Sequence, residues 1–158
     1  MSNEMPITKE GFDKVQLELD QLIKVEREHL KVIIAEAREL GDLKENAEYH
    51  AAKEKQGVVE GRIMQLQGVI ANALVIVPSE VTADNVVFGA TVTLLDVEKD
   101  ETVTLKIVGE TESDMKQGKV SYKSPLGKAI IGKEEGDTVI VKAPKGDVEY
   151  EVESFEYI

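Results

Sequence analysis

Gly41-Asp42-Leu43-Lys44-Glu45-Asn46-Ala47-Glu48-Tyr49 is a polar break between two long stretches of helical periodicity. Upstream, Thr8 is suited to cap a helix, and Glu10 places an acid in the first turn, where it favours the helix dipole. Phe12, Val15, Leu19 and Leu22 then recur at the spacing of a packed helical face. The pattern breaks at Glu26 and His29 and resumes one step out of phase at Leu30, Ile33, Ala37 and Leu40, as a stutter does. Gly41 is a natural stop. From Phe12 to Gly41 the chain predicts a rod of roughly 45 Å at about 1.5 Å per residue.

Downstream of the break, Tyr49, Ala52, Gln56, Val59, Ile63, Leu66, Ile70 and Ala73 keep a heptad spacing. Ala51 and Ala52 narrow the seam near the break. Gly57, Gly61 and Gly68 each lower helix propensity by about 1 kcal/mol, which packing against the first helix must offset. Two helical stretches of similar length joined by a short turn predict an antiparallel coiled-coil hairpin, with the quoted peptide at its tip.

The hairpin is expected to occupy residues 1–77. Val75-Ile76-Val77-Pro78-Ser79 closes it, and residues 78–84 read as a linker because of Pro78. From residue 85 to 158 the period changes to that of strands. Ala90 to Leu95 and Thr102 to Val108 flank the turn Glu98-Lys99-Asp100, and Thr138 to Lys142 precedes the turn Pro144-Lys145-Gly146-Asp147. Alternation through Val148, Tyr150 and Val152 slips before Phe155 and Tyr157, which predicts a bulge. Between the strands, Ser124 can cap a short helix with Pro125 at its first position. The fold class is therefore α+β in two domains, helical first and sheet second.

Composition narrows the function. Cysteine is absent, which excludes disulfides, thiolate metal sites and a Cys nucleophile. The beginning, Met1-Ser2-Asn3-Glu4-Met5-Pro6, has neither the basic region nor the apolar run of a signal peptide, and no stretch is fit to span a bilayer, so a cytoplasmic protein of bacterial type is expected. Net charge is −12, with 10 basic and 15 acidic side chains in the first 80 residues. Contact with DNA or RNA must then be local or run through a partner, since no general positive field attracts it.

Asp42 and Glu45 are the candidate site. Two carboxylates at the end of a rod suit a hard cation or proton transfer. The same spacing also suits Asp42 as an N-cap with Glu45 closing a capping box. Asn46, Glu48 and Tyr49 add supporting polar groups. An EF-hand is excluded by Lys44 at the third position and Ala47 at the sixth, and a glycosidase pair by the lack of a cleft and a sugar platform. His29 and His50 lack ligand spacing. Lys24, Arg27, Lys31 and Arg38 fall along one side of the first helix, either as a solvated face or as a strip that guides a nucleic-acid end toward the tip.

The peptide from Gly41 through Ala52 resembles the tip signature of the bacterial transcript cleavage factors of the Gre type, and Ile34-Ala35-Glu36-Ala37-Arg38-Glu39-Leu40 resembles the end of that family's first helix. Val87-Phe88-Gly89-Ala90-Thr91-Val92 and Ser124-Pro125-Leu126-Gly127-Lys128-Ala129-Ile130-Ile131-Gly132-Lys133 extend the resemblance over nearly the whole chain. Anti-cleavage homologues have a more acidic, rearranged tip, which this chain lacks. The resemblance implies an FKBP-like second domain with an antiparallel sheet that docks on bacterial RNA polymerase. It implies a coiled coil that enters the polymerase secondary channel and cleavage of the 3′ end of backtracked nascent RNA. Asp42 and Glu45 would then share Mg²⁺ with the polymerase active site. The chain would hold no cofactor of its own, act as a monomer and not itself be an enzyme. A coiled-coil chaperone and an FKBP-type prolyl isomerase are the alternatives; the first gives Asp42 and Glu45 no role, and the second needs an aromatic-lined pocket.

Overall fold

The computed structural model describes residues 4–158. Residues 1–3, the start of the segment read above for a signal peptide and of the expected first domain, lie outside the described residues. A short strand β1 (Met5–Thr8) leads into α1 (Lys9–Gln21), a π-helical turn (Leu22–Glu26) and α2 (Arg27–Glu39). After the tip come α3 (Ala47–Asn72) and β2 (Ala73–Ile76). The sheet strands are β3 (Thr91–Asp96), β4 (Glu101–Val108), β5 (Lys119–Ser121), β6 (Thr138–Ala143) and β7 (Gly146–Glu156), with α4 (Pro125–Ile130) between β5 and β6.

Two compact units result. Asp13–Asn72 forms one; the stretch through Phe12 joins Ala73–Ile158 in the other. This departs from the expected boundaries. Both ends of the expected hairpin domain go with the sheet unit, because β1 pairs in parallel with β2 from Met5↔Ala73 to Thr8↔Ile76. Pro78 is no solvent linker either: it is buried and opens a 3-10 turn over Pro78–Glu80.

In the helical unit the stutter is physically a π turn. The extra residue is absorbed by widening one turn at Leu22–Glu26, so the seam changes phase without breaking the helical run. Leu30, Ile34 and Ala37 are buried beyond it, and Ala52, Val59, Ile63, Leu66 and Val69 are buried on α3. The new phase selects Ile34, not the expected Ile33, and Leu40 is exposed instead of packed.

In the sheet unit the strand order is β5-β4-β3-β7-β6. The pairs β3·β4, β3·β7 and β6·β7 are antiparallel as expected, but β4·β5 is parallel, so the sheet is mixed. The expected bulge lies on β7, where Thr93 faces Ser154 but Leu94 faces Val152. Ser124 caps α4: its Oγ accepts from the Gly127 amide at 3.0 Å, with Pro125 in the first turn. Val92, Leu94, Ile107, Ile130 and Val152 form a core with no exposure beyond 1%. Phe88, Tyr122, Phe155 and Tyr157 pack around it. Tyr157 donates to the Asn85 carbonyl at 2.7 Å and accepts from the Val87 amide at 3.1 Å; burial pushes its phenol up, against the pull of the Val87 hydrogen bond.

Glu112 ties the start of α1 to this unit. Its carboxylate accepts from the Thr8 amide at 3.0 Å, from the Thr8 hydroxyl and from the Gly109 amide at 2.8 Å. Thr8 Oγ1 in turn accepts from the Gly11 amide at 3.1 Å, which makes Thr8 the expected N-cap. A methyl group at Gly11 would run into the Glu112 carboxylate.

Candidate functional site

The tip is built by two helix ends that satisfy each other. α2 ends as Leu40 and Gly41 donate back to Ala37 and Arg38, at 3.2 and 3.4 Å, and Gly41 turns the chain at φ +112°, where other residues are strained. Asn46, not Asp42, caps α3. Its Oδ1 accepts from the Tyr49 amide at 3.0 Å, and its Nδ2 reaches back to donate to the Ala37 carbonyl at 2.6 Å. The capping box on Asp42 and Glu45 is therefore not formed.

Asp42 and Glu45 are both exposed. Asp42 Oδ1 accepts from the Lys44 amide at 3.0 Å, an Asx turn that holds one carboxylate oxygen. Among the described residues, no hydrogen bond or ion pair holds the Glu45 side chain. Glu48 is exposed in the first turn of α3. Tyr49 is half-buried: the Arg38 guanidinium lies 5.9 Å from its ring centre, and His50 meets it edge-on at 5.6 Å. His50 Nε2 pairs with the Lys44 carbonyl at 3.0 Å.

These bonds sort the supporting residues. Both ends of the Asn46 amide are engaged within the hairpin. Asp42 and Glu45 are hard oxygen donors of the kind Mg²⁺ prefers, yet two exposed carboxylates fall short of the about six oxygens it requires. Among the described residues no group of three or more His, Asp or Glu side chains is placed to hold a metal.

The four cations of the strip each have a partner. Lys24 pairs with Asp20 at 2.9 Å and Lys31 with Glu28 at 3.0 Å, both within the helical run and well exposed. Arg27 instead crosses to α3 and grips Glu60 through two bonds of 2.7 and 2.8 Å. Arg38 covers Tyr49. Periodicity placed all four on one side, but it carries no information on which acids on α3 would face them; Glu60 is one such residue that the sequence reading missed.

The sheet unit has an open apolar cavity of about 500 Å³ beside α4, lined by Met115, Val120, Pro125, Leu126, Val141 and Pro144 among others. No aromatic ring lines it.

Comparison with known proteins agrees over the whole length. Residues 5–75 match the family model described as transcription elongation factor, N-terminal, and residues 81–157 match that described as transcription elongation factor, GreA/GreB, C-term. The chain is similar to transcription elongation factor GreA of Alkalilimnicola ehrlichii, 53% identical over 156 residues that cover 98% of this chain and 99% of the relative. It is 52% identical to the GreA of Syntrophotalea carbinolica over 158 residues, 100% of both chains. The solved structure of GreA factor homolog 1 of Thermus thermophilus aligns over 97% of this chain and 99% of that one, with 26% identity and a TM-score of 0.45.

Proposed function

The chain belongs to the GreA/GreB family of transcription elongation factors, and from that premise we propose that it stimulates transcript cleavage by bacterial RNA polymerase. Its sheet unit docks on the polymerase in the bacterial cytoplasm. Its coiled coil enters the secondary channel as a monomer and brings the tip to the 3′ end of backtracked nascent RNA. The observation that carries this reading is the state of the two tip carboxylates. Asn46 takes over the helix cap, which leaves Asp42 and Glu45 exposed at the turn, with only one Asp42 oxygen held locally, by the Lys44 amide.

Within the polymerase active centre, Asp42 and Glu45 would hold part of the coordination of a shared Mg²⁺. That ion, when bound, stabilises charge on the attacking and leaving oxygens of the phosphodiester. The Glu45 carboxylate, with no partner among the described residues, can also orient a water or accept its proton. Arg38 and Tyr49 stiffen the hairpin behind the carboxylates. Lys24 and Lys31 guide RNA phosphates, since their exposed pairs with Asp20 and Glu28 are weak enough to exchange. Arg27 and Arg38 are committed to Glu60 and Tyr49. The polymerase supplies the remaining ligands and is the enzyme; the chain completes its site.

Adding the chain to stalled, backtracked elongation complexes tests this reading. Radiolabelled RNA should lose a short 3′ fragment and resume elongation on nucleotide addition. Unchanged RNA at saturating protein would overturn it.

A further inference from the structure

We infer that Asn46 is the positioning residue of the tip, the side chain that fixes the turn carrying Asp42 and Glu45. The inference rests on the role proposed above for those two carboxylates. Asn46 follows Glu45 directly and is fixed at three points. Its carbonyl accepts from the His50 amide at 3.1 Å, as a helix start requires of any residue. Its Oδ1 accepts from the Tyr49 amide at 3.0 Å, and its Nδ2 donates to Ala37 on the opposite helix at 2.6 Å.

The two side-chain bonds need both an acceptor and a donor on one short planar group, and asparagine is the capping residue that has them. Aspartate caps but has no N–H, and its second oxygen would face the Ala37 carbonyl. Serine caps but is too short to span to α2. Among the described residues the Ala37 carbonyl otherwise accepts only from Leu40, at 3.2 Å, so the asparagine supplies a second donor to a carbonyl at the end of α2.

A separate brace holds the same two helices one turn further in. The Arg38 guanidinium lies over the Tyr49 ring, and this contact does not depend on the chemistry of residue 46. Losing the Nδ2 bond therefore leaves the hairpin closed and loosens only the turn. Misplacement of a reacting group by about 1 Å can cost on the order of a hundredfold in rate.

Asn46→Ser tests this in the full chain, because it keeps a cap oxygen, adds no charge and removes the donor to Ala37. Helicity and the concentration giving half-maximal stimulation of RNA cleavage should stay within about twofold of wild type, while the saturating cleavage rate falls roughly ten- to a hundredfold. Asn46→Asp, a strong cap, should show the same split and serves if the serine variant loses helix. A wild-type saturating rate in the variant that keeps its helicity, or a loss recovered by more protein, would overturn the inference. Asp42→Ala run in parallel separates the two ideas: if it also cleaves normally the tip carboxylates have no role, and if only the Asn46 variants do, the positioning role alone is wrong.

Discussion

Arg27 on α2 and Glu60 on α3 meet as a two-point pair, Nε to Oε1 at 2.7 Å and Nη2 to Oε2 at 2.8 Å. Arg62 and Glu18 repeat the arrangement nearer the other end, at 2.8 and 2.9 Å. Each planar fork spans the coil outside its apolar seam and fixes the register of one helix against the other. Arg27→Lys keeps the charge but cannot form the fork. It should lower the melting temperature of the coil, read by circular dichroism, nearly as far as Arg27→Ala. A lysine variant that melts like wild type would mean that charge alone matters.

Acid should weaken the coil through the same pairs. The hydrogen bond from Arg27 holds Glu60 below the usual carboxylate range, and that from Arg62 does the same for Glu18, in both cases against a smaller opposing effect of burial. A lowered folded-state value means the contribution is complete above the unfolded carboxylate value of about 4.3 and is lost as pH falls through the lowered value. Melting temperature should hold from neutral pH to about 5 and drop below about 4. The Glu18→Gln, Glu60→Gln double variant should start lower and lose less on acidification; an equally steep acid loss would place the sensitive groups elsewhere.

The π turn makes an unusual prediction about deletions. Removing Lys24 takes out the extra residue, so Leu19, Leu22, Leu30 and Ile34 can share one regular α-helical face. The melting temperature should stay level or rise. Deleting Met64 from α3, an equally exposed position, instead rotates half of a regular seam away from its partner and should cost on the order of 3 kcal/mol or more through exposure of buried apolar side chains. Comparable losses in the two deletions would show that the widened turn is needed as it stands.

Glu112→Ala should destabilise the sheet unit by about 2–3 kcal/mol, because the Thr8 and Gly109 amides both lose their acceptor. Gly11→Ala should have a similar effect by forcing the same carboxylate aside. Urea unfolding followed by tyrosine fluorescence measures both. Wild-type stability in Glu112→Ala would mean that water replaces the carboxylate without loss.

Local signals are legible in the sequence where one segment contains the whole cause. The Thr8 cap, the Gly41 stop, the phase slip near Glu26, the bulge before Phe155 and the Ser124-Pro125 helix start each depend on a few adjacent residues. Features that depend on distant partners were missed. β1 and β2 are four-residue strands that gain their ladder only from each other, across the whole hairpin, and β5 is three residues long and pairs in parallel with β4. The tip stood between these cases. Spacing alone allowed Asp42 to cap α3; Asn46 does so because it can also bond Ala37, nine residues earlier, which local spacing does not reveal.

Transcript cleavage in stalled, backtracked polymerase complexes with Asp42→Ala and Glu45→Ala is the most direct measurement. Each variant should bind the complex like wild type while its saturating cleavage rate falls by on the order of a hundredfold, the size of effect seen when one preorganised charge-stabilising group is removed. Cleavage at the wild-type rate by both variants, with binding intact, would contradict the assignment of the tip carboxylates to the shared site.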